Sequence, residues 1–464
     1  MSGNHKFDFD LAVIGAGSGG FAAARTGAAA GLKTVVIDGA RELGGLCILK
    51  GCMPTKALLH AAEVLHLAQN AGTWGIQVED ARANYGRVKA RKDAVIKEFA
   101  DYRVQQLHGG RFEFINTTAR FTDPHSLQLG NGRSISAAQF VISTGSKIAP
   151  SPLPELDELN CLTSDTALDL ERLPKSLIVL GGGAVALEFA QFFARMGTRV
   201  TVIQRSAHVL TGADADAAGE LEKAFRREGI TLYTGTRLTQ ARRVGDDKEI
   251  VFEQEGQTVR VRAEEILFAL GRVPQLDSLG LDRIGLKVEG GRIGTNSRMQ
   301  CSLPHIYAAG DCTGLHEIVH IAIQQGETAV HNILNPGSPR QMDYRLLTEV
   351  VFTDPQLAVV GLTEKAAQAR GIPYLTASYP FNDHGKSIIM NIREGFVKLL
   401  AAPDTGEIIG GCCVGPLGGE LIHEIVACMH KRMTVRELAT MPHYHPTLAE
   451  IWTYPAEELA DKIP

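Results

Sequence analysis

The sequence predicts an α/β protein with two parallel-sheet βαβ units and a C-terminal α+β domain. Three observations carry that expectation. Two segments repeat one pattern: a short apolar strand, a glycine-rich turn, an alanine-rich helix and a second, β-branched strand. A proline-rich stretch, Ala149-Pro150-Ser151-Pro152-Leu153-Pro154, lies between them and behaves as a linker, because successive prolines fix φ and cannot donate to a ladder. From about Tyr344 the text turns to strand-like stretches (Leu357–Val360, Gly395–Leu400, Ile408–Val414) followed by helical ones (Leu421–Lys431, Val435–Thr440), the order of an α+β domain.

The first unit runs from a strand at Leu11–Ile14 through Gly15-Ala16-Gly17-Ser18-Gly19-Gly20 into a helix reaching about Ala30, then a strand at Thr34–Ile37. Gly15 permits the tight turn, Gly17 lets a pyrophosphate approach the backbone, and Gly20 lets helix and strand pack closely. Asp38 closes the second strand 18 residues after Gly20, where a carboxylate can accept hydrogen bonds from a ribose diol. The second unit has its strand at Leu177–Leu180, the turn Gly181-Gly182-Gly183-Ala184-Val185-Ala186, a helix to Met196 and a strand at Val200–Ile203. Both read as Rossmann-like dinucleotide-binding domains. After Gly271 comes Arg272-Val273-Pro274, and an apolar strand near Tyr307 ends in Gly310-Asp311, a return to the first domain that makes the second unit an insertion. The expected boundaries are 1–149 and 271–343 for the two parts of the first nucleotide domain, 150–270 for the second, and 344–464 for the C-terminal domain.

Between the first unit and the linker stands Gly44-Gly45-Leu46-Cys47-Ile48-Leu49-Lys50-Gly51-Cys52-Met53-Pro54-Thr55-Lys56. Cysteines five apart on a regular helix would hold their Cα atoms roughly 8–9 Å apart, beyond bridging distance. A bridge therefore needs a distorted turn, and Gly51 and Pro54 are residues that permit or enforce one. Spacing alone fits two buried bystanders equally well; zinc is disfavoured because no second cysteine pair or histidine pair is near. Position separates the readings. A dithiol directly behind an FAD-type βαβ unit can exchange electrons with the flavin, and Lys56 can hold a positive charge near the ring or its thiolate partner.

Composition bounds the rest. With 464 residues, two to four domains are expected. Forty-seven Lys and Arg against 52 Asp and Glu give a net charge of −5, without a basic stripe for nucleic acid or a polybasic run beside a hydrophobic anchor. Neither nucleic acid nor a membrane surface is an expected partner. Met1–Lys6 are polar and the apolar run behind them is broken by glycines from Gly15, too short and punctuated for a signal peptide or spanning helix, so the cytosol is the expected location. Eight cysteines are too sparse for a disulfide scaffold, and a reducing compartment would leave most as thiols.

The cysteine segment resembles the active site of the class I pyridine nucleotide-disulfide oxidoreductases, including dihydrolipoyl dehydrogenase, glutathione reductase and mercuric reductase, and the resemblance extends over essentially the whole chain. It implies an FAD-binding first domain, an NAD(P)-binding second domain and a C-terminal dimerisation domain in a homodimer. It makes Cys47 the interchange thiol that meets substrate and Cys52 the thiolate against the flavin. Thr144-Gly145-Ser146 and Gly310-Asp311 match the family's FAD patterns, with Asp311 reaching the ribityl chain, and His320 and Ala119 at further flavin-contacting positions. Gly181, Gly183 and Ala186 of the second turn, with Glu188, match its nicotinamide-dinucleotide site, and Gly271 its Gly-Arg-x-Pro signature. His445-Pro446-Thr447-x-x-Glu450 matches its acid/base, His445 moving the proton and Glu450 orienting the imidazole.

Departures set the substrate question. NAD-preferring members carry an acid at the end of the second strand; Gln204 stands there, and Arg205 follows where NADPH users place an arginine for the 2′-phosphate. Their second arginine is replaced by Thr211, so the reading leans to NADP over NAD without excluding NAD. The last cysteine is Cys428, so no terminal cysteine pair argues for mercuric reductase or the large thioredoxin reductases, and Cys412-Cys413 reads as structural. His443 and Pro54-Thr55-Lys56 point to a dihydrolipoyl dehydrogenase-like protein acting on a disulfide or dithiol such as a lipoyl group on a carrier. Ile48-Leu49-Lys50, Trp452 and Gln204 depart from that pattern and leave a reductase of another disulfide open. A flavin transhydrogenase or diaphorase, or a non-catalytic redox sensor, would need neither the cysteine pair nor His445.

Overall fold

The computed structural model describes residues 6–463; of the polar opening segment, residues 1–5 lie outside the described residues. Tertiary contacts divide the chain into two units, one ending its pieces at Ala57, Pro150 and Met342 (with Lys89–Pro150 and Gly271–Met342), the other built from Leu58–Val88, Ser151–Leu270 and the chain from Asp343 onward.

In the first unit, five strands lie parallel in the order Glu113–Ile115, Thr34–Ile37, Phe9–Ile14, Ser134–Ile142, Ile306–Ala308. The register sets Val13 between Val36 and Val141. Successive residues alternate between two cores. Leu11 and Val13 pack with Val36, Ala23, Ala24 and Val330 on one face, and Ala12 and Ile14 with Val35, Ile37 and Phe140 on the other. A sheet covered on both faces needs such unbroken apolar strands, as the sequence has. Near its start, strand Ser134–Ile142 also takes an antiparallel hairpin, Ala119–Asp123 with Ser126–Leu129. The helices Ser18–Ala29 and Val319–Leu334 press together through glycines; a Cβ on Gly326 would sit 2.3 Å from the Gly19 carbonyl oxygen.

The second unit holds a second parallel sheet, in the order Thr231–Tyr233, Arg199–Ile203, Ser176–Leu180, Glu265–Phe268, Leu162–Thr163. It also holds a five-stranded antiparallel sheet, Thr348–Val351, Gln356–Gly361, Ile408–Gly415, Phe396–Ala401, Leu375–Pro380 in that order, with the helices Gly418–His430, Val435–Thr440 and Thr453–Lys462. This is the α/β architecture with an α+β C-terminal part that the sequence predicts. The ends of the expected elements differ from the observed ones by at most three residues, and Thr34–Ile37 and Val435–Thr440 coincide at both ends. One difference is systematic: the glycine strings turn only over their first three residues, the helices starting at Ser18 and Ala184. Cys412 and Cys413 lie buried in the strand Ile408–Gly415, pointing into different cores, and burial pushes the Cys412 thiol up to about 12. Among the described residues no helix is long and apolar enough to cross a membrane.

Candidate functional site

In the first unit the turn after strand Phe9–Ile14 is sterically dictated. Gly15 has φ +101°, and a Cβ there would lie 2.2 Å from the Ser143 carbonyl oxygen; one on Gly20 would lie 1.9 Å from the Gly15 oxygen. Gly17, which caps the helix Ser18–Ala29, has open space where its Cβ would be. Tight packing at Gly15 and Gly20 thus directs the open side of Gly17 and the helix N-terminus, rich in free N–H groups, outward. Asp38 follows the adjacent strand. Its Oδ2 accepts from the Ala16 N–H at 2.7 Å and its Oδ1 from the Ala40 N–H at 2.8 Å, so the carboxylate is fastened beside the turn with lone pairs to spare.

The two cysteines sit on a helix break. A short helix Gly45–Leu49 ends at Lys50, and a new one begins at Cys52 and runs to Gln69. Gly44 and Gly45 both take positive φ, +153° and +75°, and a Cβ on Gly45 would lie 2.8 Å from the Gly17 Cα. The cysteine turn therefore lies directly on the nucleotide turn. The break brings the two sulfurs into hydrogen-bonding contact as a dithiol; the shared bond with Cys52, burial and the Cys52 charge hold the Cys47 thiol well above its ordinary range. Thr55 anchors the second helix by donating its hydroxyl to the Gly51 carbonyl at 2.7 Å, and Lys56 follows, half-buried.

Among the remaining flavin-pattern residues of this unit, a hydrogen bond joins Ser146 to Asp311. Ser146 donates from Oγ to Asp311 Oδ2 at 2.7 Å while Arg272 Nε donates to the same Oγ at 3.0 Å. Thr144 donates from Oγ1 to the Gln275 carbonyl at 2.6 Å, and Gly145, at φ +72°, has no Cβ neighbour. Asp311 follows Gly310, whose N–H donates to the fully buried Gln325 Oε1 at 2.7 Å. Ala119 opens its strand next to Thr118, against which Gly39 packs. His320 lies exposed in the first turn of helix Val319–Leu334. Gly271 (φ +117°) leads into the strand Arg272–Pro274, which pairs with Ser146–Ile148, so it lies with Ser146 in this unit. A Gly17 cradle without a Cβ, an anchored Asp38 and an Asp311 carboxylate fixed by Ser146 fit an extended dinucleotide such as FAD.

In the second unit, Gly181 (φ +115°) packs so closely that a Cβ would lie 2.4 Å from the Ala269 oxygen, while Gly183, capping helix Ala184–Arg195, is open. Ala186 is fully buried under that helix. Gln204 lies against Gly182 and is nearly buried; Arg205 is exposed. Glu188 is 3% exposed and accepts the Phe352 N–H at 3.0 Å, a structural tie to the C-terminal part.

The C-terminal part holds the histidine pair. His445 Nδ1 lies 3.0 Å from Glu450 Oε2 and 3.2 Å from Oε1, with its side chain 77% exposed. Glu450, by contrast, is nearly buried, and Oε1 is shared with a second histidine: His384 Nε2 lies 3.2 Å away. His384 is fully buried and its Nδ1 lies 2.7 Å from the Ser387 hydroxyl. Burial lowers the His384 pKa, partly countered by Glu450, so the neutral ring donates from Nε2 to the carboxylate and accepts at Nδ1 from the Ser387 hydroxyl. His443 is held instead by Glu424, at 2.6 Å from Nε2, and Trp452 is buried with its indole donating to the Leu421 carbonyl. His384 and Ser387 escape sequence reasoning: they lie 66 and 63 residues before Glu450, and only the buried second oxygen of that acid calls for such a donor. Elsewhere in this unit His66, Glu228 and Asp354 lie close enough to hold a metal ion, but Arg195 already bridges both carboxylates, at 2.6 and 2.7 Å.

A turn that exposes backbone for a dinucleotide, a second such turn and a dithiol stacked on the first define a nucleotide-linked thiol–disulfide protein, and comparison places it. The model of the pyridine nucleotide-disulphide oxidoreductases matches residues 9–326, and that of their dimerisation domain residues 347–456. The chain belongs to the pyridine nucleotide-disulphide oxidoreductase family, FAD-binding oxidoreductases with a redox-active disulfide. Within it, the chain is 36% identical over 456 residues to the dihydrolipoyl dehydrogenase of Thermus scotoductus, covering 97% of each protein. It is 33% identical over 470 residues to the mercuric reductase of Streptomyces lividans, covering 98% of this chain and 97% of that one. Among solved structures, an HOCl-induced flavoprotein disulfide reductase from Escherichia coli superimposes with a TM-score of 0.85 over 97% of this chain and 99% of that chain at 24% identity, a likeness of fold.

Proposed function

We propose that this chain passes electrons between NADP(H) and a small or carrier-bound disulfide of the lipoyl type, through FAD and the Cys47–Cys52 pair. The observation that carries the reading is the dithiol held on a helix break directly against the Gly17 turn. When bound, FAD and the pyridine nucleotide supply the two electrons that return an oxidised cysteine pair to the dithiol.

The protein's own residues manage the sulfur chemistry. Because its shared bond with Cys52 and its burial hold the Cys47 proton, the thiol needs a base; His445, with Nδ1 committed to Glu450, has Nε2 for that proton. The exposure of His445 and the dimerisation-domain match support its acting across a homodimer. The Cys47 thiolate attacks one sulfur of the substrate disulfide, whose S–S bond breaks as a mixed disulfide forms; the leaving thiolate takes the proton from His445. The Cys52 thiolate then attacks the Cys47 sulfur, releasing the second substrate thiolate and closing the Cys47–Cys52 disulfide. Two electrons have passed to substrate, and the reverse sequence oxidises a dithiol.

Neutral Gln204 and the exposed Arg205 support NADP over NAD, and with it a reductase of a disulfide other than lipoamide as the second reading. A reducing, cytoplasmic setting suits the sparse cysteines. Anaerobic dithionite titration tests the core of the reading: a redox-active pair adds two electrons beyond those the flavin takes, and uptake by the flavin alone refutes it. Cys47→Ser should keep the yellow colour and lose disulfide turnover.

A further inference from the structure

Beside the cysteine turn, within the first unit, lies a cavity of about 360 Å³ lined by Ile48, Phe21, Phe99, Tyr102, Arg25 and Arg103 among others. Ile48 is the residue next to Cys47, and Arg103 of the lining lies near enough to the Cys47 sulfur to feel its charge, so the cavity lies near the thiol assigned above to substrate. Its walls are mostly apolar and aromatic; the polar groups are the two guanidinium groups with Ser18, Gln106 and the Tyr102 hydroxyl. Arg25 is exposed and already engaged, 2.5 Å from Glu327. Arg103 is different. Its guanidinium stacks 4.1 Å over the Phe21 ring, and its Nε and Nη1 are buried without a hydrogen-bonding partner among the described residues. Burial disfavours its charge and Arg25 adds to that, while the Cys47 sulfur is the neighbour that favours it. A buried, charged donor left unpaired is costly, so these two nitrogens call for a partner from outside the described residues.

We propose that this cavity is an anion subsite and that the disulfide turned over by this chain carries a carboxylate, which binds Arg103 while its carbon skeleton lies on Phe21, Phe99 and Tyr102. The inference rests on the thiol–disulfide reading of Cys47 and deepens it. A carboxylate supplies the acceptors the guanidinium lacks in a charge-assisted bond, and aromatic walls suit a short hydrocarbon segment between carboxylate and disulfide. A neutral amide in the same place leaves the Arg103 charge uncompensated. The subsite thus selects by charge as well as by sulfur chemistry.

Lipoate and lipoamide share one dithiolane ring and chain and differ only in carboxylate against amide, so the FAD-loaded enzyme should show a lower KM for lipoate. In Arg103→Gln the lipoate KM should rise by about tenfold or more with kcat little changed, the lipoamide KM should stay near wild type, and Arg103→Lys should restore part of the difference. Octanoate, which carries the carboxylate and no sulfur, should bind the wild-type holoenzyme by calorimetry and not Arg103→Gln. Equal losses on lipoate and lipoamide in Arg103→Gln would overturn the subsite and assign the arginine to Cys47 itself. Disulfide turnover without charge discrimination or octanoate binding would overturn the subsite and leave the exchange reading standing. Octanoate binding that depends on Arg103, in an enzyme that turns over no disulfide, would uphold the subsite and overturn the exchange reading.

Discussion

Removing the His384 side chain, as in His384→Ala, should move the pH profile of disulfide turnover upward. Glu450 Oε1 is 3.2 Å from both His384 Nε2 and His445 Nδ1, so two imidazoles share one carboxylate oxygen. The groups that face His384 are Glu450, Ser387, the edge of Tyr454 and, through the carboxylate, His445. A neutral N–H on Glu450 points its positive end at the place where an imidazolium at residue 445 would gain its stabilisation. A hydrogen bond to a charged group contributes about 1.5–3 kcal/mol. If roughly half of that is returned to His445 when the donor is removed, the shift is about 0.5–1 pH unit at 1.36 kcal/mol per unit. The sign follows from the carboxylate: freed of one donor, it stabilises a positive imidazolium beside it more strongly, so the limb of kcat/KM moves to higher pH. The assay is kcat/KM for a disulfide between about pH 5 and 9, with His384→Asn as the variant that keeps an N–H donor and returns the limb toward wild type. Profiles of His384→Ala and wild type that superimpose, whatever the loss in rate, would refute the reasoning and reduce His384 to packing.

The other predictions concern the frame of the sites. Gly20→Ala would place a Cβ 1.9 Å from the Gly15 oxygen, so the purified protein should be colourless and melt several degrees lower, as overpacking by a methyl costs about 1–3 kcal/mol; a yellow protein of unchanged melting point would sink the steric account. Arg205→Ala should lower the ratio of flavin reduction rates by NADPH and NADH about tenfold, and an unchanged ratio removes the arginine from nucleotide choice. Lys398, 3% exposed, is ringed by Asp214, Asp216 and Glu364; burial opposes its charge, and the Asp216 and Glu364 carboxylates more than offset that. Lys398→Met should cost about 3–5 kcal/mol at neutral pH, because three carboxylates are left facing one another. A Lys398→Met protein whose denaturant melt at neutral pH superimposes on that of wild type would argue against the ion cluster.

What was legible in the sequence was whatever is enforced locally. Gly15 and Gly20 must be glycine because backbone lies where their side chains would be, Gly17 leaves open the side a ligand approaches, and the three are visible as a string. The break between Cys47 and Cys52 was expected because a regular helix cannot bring them together, and the structure breaks the helix at Lys50, between them, with the second cysteine starting anew. Illegible were the residues whose role comes from long-range packing. Glu188, matched to a nucleotide site, also accepts the Phe352 N–H 164 residues away, a tie no local pattern announces. Arg103 reads in sequence as one more cation on a polar helix, Tyr85–Leu107; only the fold turns it over Phe21 and strips its donors of partners.

The same contrast bears on how this chain chooses its substrate. A turn, a dithiol and a histidine–glutamate pair are common chemistry, and nothing in them chooses a substrate. Choice has to come from groups that touch the rest of the molecule, and the candidates sit outside the motifs: a helix face for Arg103, a strand end for Arg205, a short helix for His384. Each departs from neutrality in one physical respect, an unpaired buried charge, a missing strand-end acid or an extra donor on the acid that steers the base. Substituting them singly therefore separates anion selection, nucleotide selection and proton management, because each moves a different readout: the lipoate-to-lipoamide ratio, the NADPH-to-NADH ratio, and the position of a pH limb.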